Sequence, residues 1–102
     1  MTEPAVGLDA IEIWTGKCKL DLANTFAPAK GEAPEKYTKG LGLEASSFPD
    51  TYEDIVTMGA NAAKRLMDRK GLSPEDIGRI DVATESAFDN SKPVSTYIAG
   101  CL

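Results

Sequence analysis

The chain has 102 residues, of which 16 are acidic, 11 basic and none histidine, giving a formal net charge of -5. With 42% hydrophobic and 26% charged residues, it has the make-up of one globular domain or part of a larger one, not of a disordered, collagenous or disulfide-built chain. The acidic balance and the scatter of its cations argue against a nucleic-acid role, and the absence of both a signal-peptide start and an apolar run near ~20 residues leads us to expect a cytoplasmic, non-membrane protein.

Residues 5–14 read as the first strand, because Val6, Leu8 and Ala10 share one parity and Ile11 and Ile13 the other. Apolar residues on both faces suit the middle of a covered sheet, so a layered α/β core is expected. Gly16 closes that strand. Residues 20–27 and 34–41 read as short helices punctuated by Pro28 and Gly31, and 43–48 as a short strand ended by Pro49.

The strongest pattern covers 53–70. Ile55, Gly59, Ala62, Ala63, Leu66 and Met67 recur at intervals of three and four, as one face of a helix requires. Asp50 and Glu53 have the spacing of a capping box, and Gly71 follows the basic end. Ser73, Pro74 and Asp76 predict a single helical turn. Residues 79–84 read as a strand, 85–91 as a polar loop, and 93–102 as the start of a helix carrying Val94, Tyr97, Ile98 and Cys101. An apolar helix reaching Leu102 without a cap leads us to expect the amino-terminal part of a longer protein.

Glu85 holds the greatest chemical potential, since the carboxyl ends of strands in open α/β sheets are where ligands bind. A carboxylate partly withdrawn from water there would be a competent proton acceptor, although position alone favours an ordinary capping or loop carboxylate. Lys36 and Lys39 beside Gly40 and Gly42 could meet phosphates, but no phosphate-loop or dinucleotide fingerprint is present. Cys18 and Cys101 stand far apart with no histidine near, so no metal site and no Cys-His catalysis is encoded within the chain.

Three blocks carry a specific likeness: Glu35-Lys36-Tyr37-Thr38-Lys39-Gly40-Leu41-Gly42, Glu53-Asp54-Ile55-Val56-Thr57-Met58-Gly59-Ala60-Asn61-Ala62-Ala63, and Thr84-Glu85-Ser86 with Asp89 and Ser91-Lys92. In order and spacing they closely resemble the hydroxymethylglutaryl-CoA synthases of the mevalonate pathway. The resemblance implies a thiolase-like layered α/β/α fold, here only its amino-terminal part, and condensation of acetyl-CoA with acetoacetyl-CoA. It implies no prosthetic group or metal, a homodimer, and acetoacetyl-CoA thiolase as a partner enzyme. Glu85 would inherit the family's general base, which takes a proton from the methyl of an acetyl group held on a cysteine. The family's acyl-CoA contacts, an acidic residue, a small residue or proline, and a lysine, fall on Ala33, Pro34 and Lys36. Ala33 stands where aspartate is usual, with Glu32 adjacent.

The family's nucleophilic cysteine, in a Glu-Ala-Cys-Tyr-Gly-like segment, and its general-acid histidine have no counterpart here, so the chain alone is expected to be inactive. Two other readings remain open: a relative acting on carrier-bound polyketides, and a non-catalytic thiolase-like module binding CoA or a partner chain. The acidic surplus is compatible with a salt-rich cytoplasm.

Overall fold

A computed structural model describes residues 3–87 and 89–102. The chain divides into two compact units, one formed by Thr15–Asp54 and the other by Met1–Trp14 with Ile55–Leu102.

In the Thr15–Asp54 unit, β1 (Cys18–Asp21) pairs antiparallel with β2 (Ala45–Phe48), Cys18 facing Phe48 and Asp21 facing Ala45. Gly16 precedes the ladder because a Cβ there would meet the Phe48 carbonyl carbon and oxygen at 2.4 Å. The chain turns out of β1 through a π-helical turn, Leu22–Phe26, whose first amides are capped by Asp21: its Oδ1 accepts from the Asn24 N–H at 2.8 Å. That turn runs into α1 (Ala27–Ala29), and Gly31 leaves it at φ 66. A second π-helical segment, Lys36–Leu41, ends on Gly42 at φ 67. The core is Leu22, Ala27 and Tyr37, flanked by Leu20 and Phe26, whose ring meets Tyr37 edge-on at 5.7 Å. Leu20 therefore lies in a strand rather than in the helix expected over 20–27; its backbone is committed to the ladder opposite Ser46.

The other unit is built on α2 (Ile55–Lys70) and α3 (Val94–Cys101). Val56 and Ala60 of α2 pack with Val94 and Ile98 of α3, and Val82 joins from the intervening chain. The helix expected over 53–70 begins two residues later, because Glu53 is drawn away as a partner of Lys17, whose backbone N–H it accepts at 2.9 Å. The helix expected from 93 starts after Pro93, whose ψ of 141 is extended, and its last helical residue is Cys101. The exit of α2 is a Schellman motif: Leu72 N–H donates to Met67 O at 2.9 Å while Gly71 adopts φ 66. Ser73 N–H then donates to Asp76 Oδ2 at 2.8 Å around the 3-10 turn Pro74–Asp76.

Neither strand expected over 5–14 and 79–84 forms. Among the described residues the ladder of β1 and β2 is the only sheet, and an extended segment is a strand only when a neighbour takes its amides and carbonyls. In 5–14 the carbonyls of Ile11 and Ile13 accept instead from the Arg69 and Arg65 guanidinium groups, at 2.6 and 3.2 Å. The segment 79–84 keeps the alternation of a strand, with Ile80 and Val82 half-buried and Arg79, Asp81 and Ala83 exposed. Among the described residues, no helix is long and apolar enough to cross a membrane.

Candidate active site

Ala33, Pro34 and Lys36 lie together where the chain enters the second π-helical segment of the Thr15–Asp54 unit, and all three are exposed. The Ala33 carbonyl accepts from the Lys36 N–H at 3.1 Å, and the Pro34 carbonyl from the Tyr37 and Thr38 N–H groups at 3.0 and 3.1 Å. These two residues thus supply backbone acceptors to the first turn, which presents Lys36 at a fixed place. Lys36 Nζ donates to Glu32 Oε1 at 2.6 Å, and the Tyr37 hydroxyl donates to Glu32 Oε2.

Glu32 is therefore the hub of this segment. Its carboxyl is held below the usual carboxylate range by the Lys36 ammonium and then by the Tyr37 hydroxyl. The same bond raises the Lys36 ammonium above its ordinary value. Tyr37 is raised by its bond to Glu32 and by burial. Sequence reasoning placed Glu32 only as a neighbour of Ala33; its i,i+4 spacing from Lys36 was the available signal. Tyr37 was part of a motif, and nothing local marked it as the buried anchor.

Glu85 lies in the other unit, at a bend just after 79–84, and is exposed. Among the described residues of this chain no ladder over 79–84 covers it. The turn around it is closed by Thr84 Oγ1, which accepts from the Ser86 N–H at 3.0 Å. At the far end of this loop Asp89 Oδ1 accepts from the Ser91 and Lys92 N–H groups at 2.8 and 3.1 Å, and its Oδ2 accepts from the Tyr97 hydroxyl at 2.6 Å. Those three donors hold the Asp89 carboxyl low, Tyr97 foremost. Val82, Thr84, Ala87, Asp89, Lys92 and Pro93 are among the residues lining a cleft of 270 Å³ beside the loop. Cys18 is half-buried in β1 and Cys101 is exposed, both as free thiols.

The family described as "Hydroxymethylglutaryl-coenzyme A synthase N terminal" matches residues 3–101. A hydroxymethylglutaryl-CoA synthase of Haloferax volcanii is 86% identical over 98 residues, covering 96% of this chain and 22% of the relative. A hydroxymethylglutaryl-CoA synthase A of Dictyostelium discoideum is 36% identical over 102 residues, covering 96% of this chain and 20% of the relative. The chain thus spans about a fifth of the length of the curated relatives it matches. Among solved structures, MvaS in complex with 3-hydroxy-3-methylglutaryl coenzyme A superposes with a TM-score of 0.86 at 35% identity, over 97% of this chain and 23% of that one. An HMG-CoA synthase complexed with CoA matches with a TM-score of 0.73 at 35% identity, over 92% and 24%.

Proposed function

The chain belongs to the hydroxymethylglutaryl-coenzyme A synthase N-terminal family and shares the amino-terminal part of that thiolase-like α/β fold; from this premise we propose that the native protein carrying it condenses acetyl-CoA with acetoacetyl-CoA to hydroxymethylglutaryl-CoA. The identity of 86% to a protein of that name carries the reading. The relatives solved with 3-hydroxy-3-methylglutaryl coenzyme A and with CoA support thioesters as its ligands.

In this reading Glu85 is the general base that removes a proton from the methyl of the enzyme-held acetyl group, generating the carbon nucleophile. Exposure of Glu85 in this chain leaves that carboxylate accessible to a substrate methyl. Lys36, held by Glu32, offers its ammonium to the acyl-CoA, with Ala33 and Pro34 shaping the adjoining backbone. The chain has no histidine and neither Cys18 nor Cys101 lies in a segment like the family's nucleophile segment, so the chain by itself is expected to form no acyl-enzyme. The reading requires no metal or prosthetic group. It extends to a cytoplasmic homodimer supplied by an acetoacetyl-CoA thiolase, supported by the family resemblance.

The test is Glu85→Ala in the native protein, with acetyl-enzyme formation and condensation assayed separately. Removing a general base lowers the step it serves by about 10²–10⁴-fold, so condensation falls by that factor while acetylation persists. A variant that condenses as the wild type does would overturn the assignment of Glu85, and a native protein that condenses nothing would favour a non-catalytic CoA- or partner-binding module.

A further inference from the structure

We propose that Glu32 is a positioning residue, which holds the Lys36 ammonium where an acyl-CoA meets it and is itself held by the core residue Tyr37. The proposal rests on the reading of Lys36 as an acyl-CoA contact.

A lysine on an exposed turn carries its charge on a flexible stem, and ordering that stem on binding costs part of what the contact gains. Lys36 is such a residue, with its side chain 58% exposed. An exposed i,i+4 ion pair does little to change this, because the carboxylate is ordinarily as mobile as the cation. Glu32 is fixed at both ends. Its backbone N–H donates to the Ala27 carbonyl at 2.9 Å, and Ala27 is fully buried. Its two carboxylate oxygens take different partners: Oε1 accepts from Lys36 Nζ at 2.6 Å and Oε2 accepts from the Tyr37 hydroxyl. Tyr37 is buried with Leu22 and Ala27, and Phe26 meets its ring edge-on. Contacts therefore run from the core through one hydroxyl and one carboxylate to the ammonium. The Tyr37 ring also lies 5.7 Å from Lys36 Nζ, a second surface for the cation.

Ala33 brings no side-chain acceptor to this turn, so the acceptor that orients Lys36 comes from position 32. An ammonium has three N–H donors; with one spent on Glu32, two remain for ligand oxygens. Glu32 also places a negative charge near an anionic ligand, which by charge alone would weaken binding. Placement and charge thus act with opposite sign, and the anchoring of Glu32 to the core argues that placement prevails.

The experiment places Glu32→Ala, Glu32→Gln, Tyr37→Phe, Lys36→Ala and the double variant of Glu32→Ala with Lys36→Ala in the native protein. For each, kcat, the KM for acetyl-CoA and for acetoacetyl-CoA, and the melting temperature are measured. Glu32→Ala is expected to raise the KM that Lys36→Ala raises, by about 3- to 10-fold, with kcat near wild type, as loss of a ligand contact does. Glu32→Gln retains an oxygen for Lys36 and an amide for the Tyr37 hydroxyl, and recovers most of the affinity; Tyr37→Phe falls between. In the Lys36→Ala background, Glu32→Ala is expected to change KM no further, since two residues acting through one contact do not add. A KM that Glu32→Ala leaves unchanged or lowers, a kcat that falls with it, or a further rise in KM on top of Lys36→Ala would overturn the proposal. Should Glu32→Ala fail to fold, Tyr37→Phe decides it, by raising KM when Lys36 is present and not when it is absent. If Lys36→Ala raises KM and the Glu32 and Tyr37 variants spare it, the positioning role alone fails. If Lys36→Ala leaves both KM values at wild type, the reading of Lys36 fails and the positioning role with it.

Discussion

A Cβ added to Gly59 of α2 would lie 2.7 Å from Cδ1 of Ile98 on α3, and Ile98 is only 4% exposed. The Ile98 side chain fills the space that a side chain on Gly59 would need. Gly59→Ala gains about 1 kcal/mol of helix propensity but must displace a packed methyl, so the unfolding midpoint is expected to stay close to wild type. Gly59→Val adds two further methyl groups in a stiff rotamer and is expected to cost about 1–3 kcal/mol through overpacking. Urea unfolding checks both; a Val variant as stable as wild type would mean that α3 yields freely.

The single tryptophan of the chain, Trp14, lies with its ring 4.3 Å from the Arg65 guanidinium carbon, and Arg65 also donates to the Ile13 carbonyl. Arg65→Ala is expected to free Ile13 and Trp14 from α2 while Arg69 still holds Ile11, at a cost of about 1 kcal/mol for the stacking and the hydrogen bond together. Trp14 fluorescence should move to longer wavelength and quench more readily with iodide. Arg65→Lys should give most of the same change, since an ammonium lacks the planar face.

The pair of Asp89 and Tyr97 predicts a pH window. Asp89 is lowered from an ordinary 3.8, chiefly by the Tyr97 hydroxyl and then by the Ser91 and Lys92 amides. Its contribution is thus present above 3.8 and is lost as pH falls through the depressed folded value. Tyr97 is raised from an ordinary 10.0, first by its bond to Asp89 and then by burial; its contribution is present below 10.0 and is lost as pH rises through the raised folded value. Protection of the Ser91 and Lys92 amides against hydrogen exchange should be flat between those limits and fall on the acid side. In Asp89→Asn that acid-side fall should vanish; its persistence would assign the transition to another carboxylate.

The surplus of 16 acidic over 11 basic residues favours hydration and solubility in concentrated salt, where self-repulsion is screened. We expect the melting temperature to rise as KCl is raised toward molar levels. A flat or falling curve would argue against adaptation to salt.

Several elements were legible because their determinants are local. Gly71 after the basic end of α2, and Ser73 with Asp76 around Pro74, each act over a few residues, and the structure places the Schellman exit and the 3-10 turn where those residues predict. Among the candidate residues, 33 and 34 were legible through motif likeness alone, while 36 and 85 were legible also from charge and from position in the chain. Their physical setting was not: the bonds of Glu32 to both Lys36 and Tyr37, the edge-on contact of Tyr37 with Phe26, and the three donors on Asp89 depend on how loops fold back. The segment 5–14 completes no ladder among the described residues for the same reason, since alternation names a face but not the neighbour that pairs with it.

What the sequence by itself determined is the family, the helical stretch that became α2 and its stop at Gly71, for these rest on side-chain identity and spacing along one segment. Only the tertiary structure decided that Ile11 and Ile13 give their carbonyls to Arg69 and Arg65, that Leu20 enters a ladder, and that Glu85 stands exposed on a loop tied through Asp89 to Tyr97. Each of those outcomes is a choice of partner distant in the chain, settled by competition among all available donors, acceptors and apolar surfaces at once.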